Sequence, residues 1–376
     1  MKVAIIHEWL TSYAGSEKVL EQILKIFPDA ELYAVVDFLP ENQRDFIMHK
    51  NVHTTFIQNL PKARTSFRKY LALMPLAIEQ FDLRKFDLVI SNSHCVAKGV
   101  IVGPDQLHIS YVNSPIRYAW DMQNEYLAGE GITKGVKSWI VKIILHYMRI
   151  WDSHTANGVD YLIGNSRYIT RRIKKCYRRE ADCIYPPVDI NGFSMKEDKE
   201  DFYITASRNV PYKKMDIIVK AFKSLPNKKL VVIGHDTEKL AKFAGSNVTI
   251  LGQQPFEVLR DNLQRAKGFI FAAEEDFGIA PLEAQACGTP VIAFGRGGAV
   301  ETVRGLEQSS PTGLFFSEQT SESIVNAINS FEEKIDAFTP YNCRANAECF
   351  SEENFRMKFK DFVENKINTT TRTEAK

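Results

Sequence analysis

Short apolar runs alternate with longer amphipathic stretches from end to end of this chain, and the alternation starts twice. "VAIIH" (3–7), "ELYAVV" (31–36), "FDLVISN" (86–92), "LHISYV" (107–112) and "YLIGN" (161–165) read as buried strands. After "CIYPPVD" (183–189) the pattern restarts with "FYITA" (202–206), "KLVVIG" (229–234), "VTILG" (248–252), "GFIFAA" (268–273) and "PVIAF" (290–294). Strands separated by helices build parallel sheets covered on both faces. Two such series, parted by a Pro-Pro hinge, predict an α/β protein of two doubly wound, Rossmann-like domains, 1–187 and 188–350. At 376 residues the chain also exceeds what one hydrophobic core usually serves. Ligands of open parallel sheets sit beyond the carboxyl ends of the strands, so two facing sheets predict a site in a central cleft.

Composition narrows the class. Charged residues make up 25% and hydrophobic residues 44%, as in an ordinary globular protein. A net charge of +2, without a recognition motif, gives no footprint for nucleic acid. The charge is uneven: residues 1–187 carry 24 Lys and Arg against 19 Asp and Glu, and the remainder 24 against 27. Six scattered cysteines without a C-x-x-C suggest a reduced cytosolic chain and no metal cluster. The apolar run before Glu8 is too short for a secretion signal, and no run approaches the roughly 18–20 residues of a membrane span. A cytoplasmic protein is expected. The polar tail 368–376 is expected to fray.

The densest chemistry lies in "EEDFGIAPLEAQACG" (274–288). Three acids follow a strand at the end where a ligand should lie. Gly278 permits close backbone approach, Pro281 suits the first turn of a helix, and Gly288 suits its end. A helix start offers unpaired N–H groups to phosphate or sugar hydroxyls. Glu275 and Glu283, eight apart, are then placed to accept bonds from paired hydroxyls. The plainer reading has Glu283 complementing the helix dipole and the other acids solvated. The following "GTPVIAFGRGGAVETV" weighs against it, because it adds a strand ending in Gly295, Gly297 and Gly298.

The E-x7-E spacing followed by "CGTPVIAFGRGGAVE" resembles the donor site of retaining glycosyltransferases of family 4, which have the GT-B fold. The resemblance implies that Glu275 contacts the transferred sugar and that Glu283 holds the nucleotide ribose. It places the Phe277, Gly278, Ile279 and Ala280 amides near the donor sugar. "ASRNVPYKKMD" (206–216) is similar to the family's basic segment and implies that Arg208 and Lys213 face the diphosphate. Fixed cations stabilise the charge that develops on a leaving nucleoside diphosphate. No D-x-D occurs, so no metal and no cofactor is expected, the sugar nucleotide being a substrate.

Other segments fit the same resemblance. "HEWLTSYAGSEKVLE" (7–21) brings Gly15 to a strand–helix turn, although the family commonly has two glycines there. Glu17 and Lys18 are read as cap and surface. "SNSHCVAKG" (91–99) places His94 after a strand; a lone histidine is more often structural, and the family's histidine near the reacting sugar reverses that reading. "YVNSPIRYAWD" (111–121) offers Arg117, Tyr118 and Trp120 to an acceptor, with Trp120 equally placed to be core. Together these blocks are similar to bacterial mannosyltransferases of O-antigen and related surface polysaccharides. They imply GDP-mannose as donor, an undecaprenyl-diphosphate-linked glycan as acceptor, and a last helix within 351–366 that returns to the first domain. A UDP-sugar enzyme of the same fold, or a silent sugar-nucleotide-binding scaffold, remains as the alternative.

Three basic segments, 61–75, 136–152 and 167–179, fall in the first domain, the last with seven Lys and Arg and no acid. Such segments suit an anionic membrane, so the protein is expected to be peripheral on the inner face of the cell membrane. The competing reading packs 136–152 inside and leaves the charges in water.

Overall fold

A computed structural model describes residues 1–374. The chain divides into two compact units, residues 1–187 with 353–376, and residues 188–352.

The first unit is built on a parallel sheet of β1 (Val3–Leu10), β2 (Glu31–Asp37), β3 (Val52–Thr54), β4 (Leu88–Ser93), β5 (Leu107–Val112), β6 (Tyr161–Gly164) and β7 (Asp182–Cys183), in the order β3-β2-β1-β4-β5-β6-β7. Every residue of β4 and β5 is buried, because helices cover both faces and leave no polar side to alternate with. The helix Gly15–Ile26 turns Val19, Leu20, Ile23 and Leu24 onto one face and leaves Lys18 and Lys25 outside that buried set. The helix Glu352–Glu374 inserts Phe355, Phe359 and Val363, spaced four apart, into the same core as Ile5, Leu20 and Tyr111. The Tyr111 and Phe355 rings meet edge-on at 5.7 Å. This helix runs through most of the tail expected to fray; residues 375–376 lie outside the described residues.

The second unit has β8 (Glu200–Ala206), β9 (Lys229–Ile233), β10 (Val248–Gly252), β11 (Ala266–Phe271), β12 (Val291–Phe294) and β13 (Gly313–Phe316), all parallel, in the order β10-β9-β8-β11-β12-β13. Its core joins Tyr203, Ile218, Phe222, Val232, Ile270 and Phe331.

Both sheets change direction at one seam. The chain winds outward from β1 to β2 and β3, then crosses to β4 on the other side of β1. It does the same from β8 through β9 and β10 to β11. At such a seam the two connections leave in opposite directions and open a crevice at the strands' carboxyl ends.

The basic run 167–179 is used internally only in part, for Arg167, Arg171, Lys174, Lys175 and Arg178 are exposed. The helix Arg167–Tyr177 buries Ile169, Ile173 and Tyr177. Arg172 pairs with Asp121, and the Arg179 guanidinium donates to the carbonyls of Ala156, Val159 and Asp160.

Candidate active site

In the second unit the seam lies between β8 and β11, and both loops leaving it carry charge. After β8 the chain runs through exposed Arg208 to the short 3-10 turn Pro211–Lys213. After β11 comes the acidic loop 274–276 and then the helix Ile279–Ala286. Lys213 and Glu275 form an ion pair across the seam, with side chains only 16% exposed. The glycines that follow β12 explain how the loop is held. The Gly298 N–H donates to the Glu275 carbonyl at 2.8 Å. A Cβ on Gly297, whose φ is +70°, would stand 2.5 Å from that same oxygen. The backbone therefore comes closer than any side chain would permit.

Gly278, with φ +88°, turns the chain into the helix, and Phe277 is buried against Phe350 with ring centroids 5.7 Å apart. Ile279 and Ala280 open the helix, and Glu283 is its fifth residue. Glu283 thus stands in the second turn. With Ala280 it lines a pocket of about 200 Å³ whose other walls include Ser207, Gly234, Gln253 and Gln254. These four come from the ends of β8, β9 and β10, so the pocket occupies the carboxyl edge of the sheet. Gly234 (φ +142°) lets two of these chain segments touch, since a Cβ there would meet the Ser207 carbonyl at 1.8 Å.

In the first unit the seam lies between β1 and β4. Gly15 begins its helix at the end of β1, and His94 follows β4. Beneath Gly15 lies a buried polar chain that sequence reading missed. Glu17 bonds His7 Nε2 at 3.2 Å and also accepts the Ala14 N–H at 3.1 Å. Asn92 donates to the Ser16 carbonyl at 2.7 Å and reaches His7 Nδ1 at 3.2 Å. Glu17 is thus a buried post for the turn as well as a cap.

Glu8, wholly buried at the end of β1, was missed too. Its carboxylate accepts the N–H groups of His94, Cys95, Val96 and Ala97 at 2.9, 2.6, 2.8 and 3.1 Å, and the Ser93 hydroxyl at 3.0 Å. Burial opposes its ionisation, but the charge the facing His94 ring carries when protonated, together with these amides, outweighs it and holds the carboxyl below its ordinary range. Burial drives the His94 imidazole the other way, below its usual value, so the ring is neutral at pH 7. Trp9 meets that ring edge-on at 4.8 Å, and His94 Nδ1 is shut from solvent without a hydrogen-bond partner among the described residues. A neutral, positioned imidazole can exchange hydrogen bonds with a ligand hydroxyl.

The residues offered to an acceptor divide. Arg117 is half-buried and lies close enough to His94 to help lower its pKa. Tyr118 and Trp120 pack against the core, the Tyr118 hydroxyl against Cys95 Sγ at 3.1 Å and the Trp120 N–H on Asp152 at 2.7 Å. Asp152 also takes the Tyr177 hydroxyl and pairs with the buried Lys98.

Two doubly wound sheets of this topology make the GT-B fold. Residues 190–347, most of the second unit, match the family Glycosyl transferases group 1. A GDP-mannose-dependent phosphatidylinositol monomannoside mannosyltransferase of Corynebacterium glutamicum is 33% identical over 178 residues, which are 39% of this chain and 47% of that protein. The chain thus spans about half the length of that curated relative. An uncharacterized glycosyltransferase of Methanocaldococcus jannaschii is 27% identical over 350 residues, 88% of this chain and 90% of that one. The fold of sucrose-phosphate synthase from Thermosynechococcus elongatus superposes with a TM-score of 0.72 at 16% identity, covering 98% of this chain and 99% of the other.

Proposed function

We propose that this protein is a retaining glycosyltransferase that moves mannose from GDP-mannose to a lipid-diphosphate-linked glycan in surface polysaccharide (O-antigen) synthesis, working at the inner face of the membrane. The observation that carries the reading is the seam of the second unit: Lys213 paired with Glu275, exposed Arg208 on the same loop as Lys213, and Glu283 lining a pocket at the strands' carboxyl edge. A nucleoside in that pocket would present its ribose hydroxyls to Glu283. Its diphosphate would take Lys213 from Glu275, freeing the carboxylate for the sugar.

When the bond from the sugar C1 to the diphosphate breaks, the electron pair leaves with the phosphate oxygen. Arg208 and Lys213 meet that charge. The acceptor hydroxyl forms the new bond to C1, and its proton passes to the departing phosphate oxygen. On this reading the cations supply the charge that a bound metal supplies elsewhere, and no cofactor is required. The neutral His94 is assigned a hydroxyl of the transferred sugar, and Gly15 the nearby backbone contacts. The mannosyl and GDP assignments are supported by the name of the Corynebacterium relative; the O-antigen role and the undecaprenyl carrier rest on the sequence blocks alone.

Calorimetric titration with GDP-mannose, GDP, UDP-glucose and UDP tests the reading. Selective binding of the guanosine ligands is expected. Selective uridine binding would replace mannose by another sugar, and catalytic silence despite donor binding would leave a scaffold.

A further inference from the structure

The helix Gly135–Thr155 of the first unit is apolar on two sides. Leu145, Met148 and Trp151, with Ser138 and Asp152, are buried on its inner side. Away from them Val136, Trp139, Ile140, Ile143, Tyr147 and Ile150 are exposed, Val136 by 75%, Trp139 by 67% and Ile150 by 58%. At helical periodicity these residues fall in one strip about 100° wide along the helix. Lys137 and Lys142, both exposed, fall on its two flanks. No acid occurs from residue 131 to residue 151. Soluble surfaces seldom leave so continuous an apolar strip to water.

We propose that this strip is the face by which the protein lies on a membrane surface containing anionic lipid. The helix would rest in the plane of the interface, its six apolar side chains entering the acyl boundary, while Lys137 and Lys142 extend outward to headgroup phosphates. Crossing is not its role, since no helix among the described residues is long and apolar enough to span a bilayer. Charge separates lipid from the other obvious occupant, a second copy of the same helix. Two such helices face to face would bring their lysine flanks together with no acid between residues 131 and 151 to meet them; anionic headgroups supply that counter-charge. The inference deepens the proposed function by naming where a lipid-borne acceptor is met, and it rests on that reading only for its purpose.

Flotation of the full-length protein, without sugar nucleotide, separates this proposal from the donor assignment. The probes are vesicles of phosphatidylcholine alone and of phosphatidylcholine with an equal part of phosphatidylglycerol. The wild type is expected to float with the anionic vesicles, with Trp139 emission moving to the blue and binding weakened by salt. Lys137→Gln with Lys142→Gln is expected to lower partitioning by about thirtyfold, and Ile140→Ser with Ile143→Ser to abolish it. All four positions are exposed, so circular dichroism and donor binding should stay unchanged in both variants. Trp139→Phe should lose the spectral shift and keep flotation. The proposal is overturned by a wild type that stays with neither vesicle, by an Ile140→Ser, Ile143→Ser variant that floats normally, or by a solution dimer that the same variant dissociates.

Discussion

Glu8 reaches His94 through the backbone: the His94 N–H donates to Glu8 Oε1 at 2.9 Å, and three further amides of the same loop close on the carboxylate. A turn that would otherwise need its own ligands is thus tied to the first strand of the sheet. Replacing Glu8 by Gln substitutes a donor for one acceptor oxygen and leaves buried N–H groups unmatched. A loss of about 2–4 kcal/mol in urea unfolding is expected. Because the native carboxyl is held below its ordinary value, its contribution is present above that value. It is lost as pH falls through the native one. The acid branch of the stability curve should therefore flatten in Glu8→Gln.

A second titration runs through His108, whose Nε2 faces the Ser91 hydroxyl at 2.9 Å. Burial pushes this imidazole from 6.5 down to about 4. Between those values the unfolded chain binds the proton and the native one does not, so stability falls as pH drops through that window. The expected loss is about 3 kcal/mol. Urea unfolding at pH 7.5 and pH 4.5, compared between wild type and His108→Gln, measures it; an equal pH dependence in both would remove His108 as the cause.

For the ion pair at the seam, Glu275→Ala and Lys213→Ala are each expected to lower transfer from GDP-mannose by about 10²–10³ in kcat. Both side chains are only 16% exposed, and removing one leaves a shielded charge. Radiolabelled mannose transfer supplies the rate, and calorimetry with GDP separates lost binding from lost chemistry. If neither change slows transfer, the site lies elsewhere.

Gly234→Ala would drive a methyl group into the Ser207 carbonyl. The segment that leads to Arg208 must then shift. Weaker nucleotide binding, together with about 1–3 kcal/mol of lost stability, is expected from titration and thermal unfolding.

Lys98 and Asp152 are buried at 1% and 0% exposure, with Trp120 and Tyr177 on the same carboxylate. Lys98→Met strands that charge and should cost about 3–5 kcal/mol, whereas Lys98→Met with Asp152→Leu should cost less than the two single changes added. A double-mutant cycle in urea reads the difference.

The major strands were legible because burial on both faces writes each as an unbroken apolar run. β3 and β7 were not, since an edge strand of three half-exposed residues, or of two, has no run to show. β13 was missed although "GLFF" is apolar and as long as β6 and β12, which were read. At the site, the spacing of Glu275 and Glu283 and the resemblance of 206–216 to a family's basic segment drew attention to the two loops that the structure brings together through the Lys213–Glu275 pair. Glu8 gave no such signal: an acid within "HEWL" reads as exposed, and its amide partners lie 86–89 residues away. Trp120 stood even between acceptor and core, and the bond to Asp152 gives its polar edge an internal partner.

The helix Glu352–Glu374, which completes the core of the first unit, is synthesised only after the whole second unit. On the ribosome the first domain must therefore wait, its sheet present but its Phe355, Phe359 and Val363 still missing, while the whole second domain emerges and folds. A premature stop near residue 350 would spare the domain just made and expose the one made first. Quality control of the first domain is consequently a test of that helix.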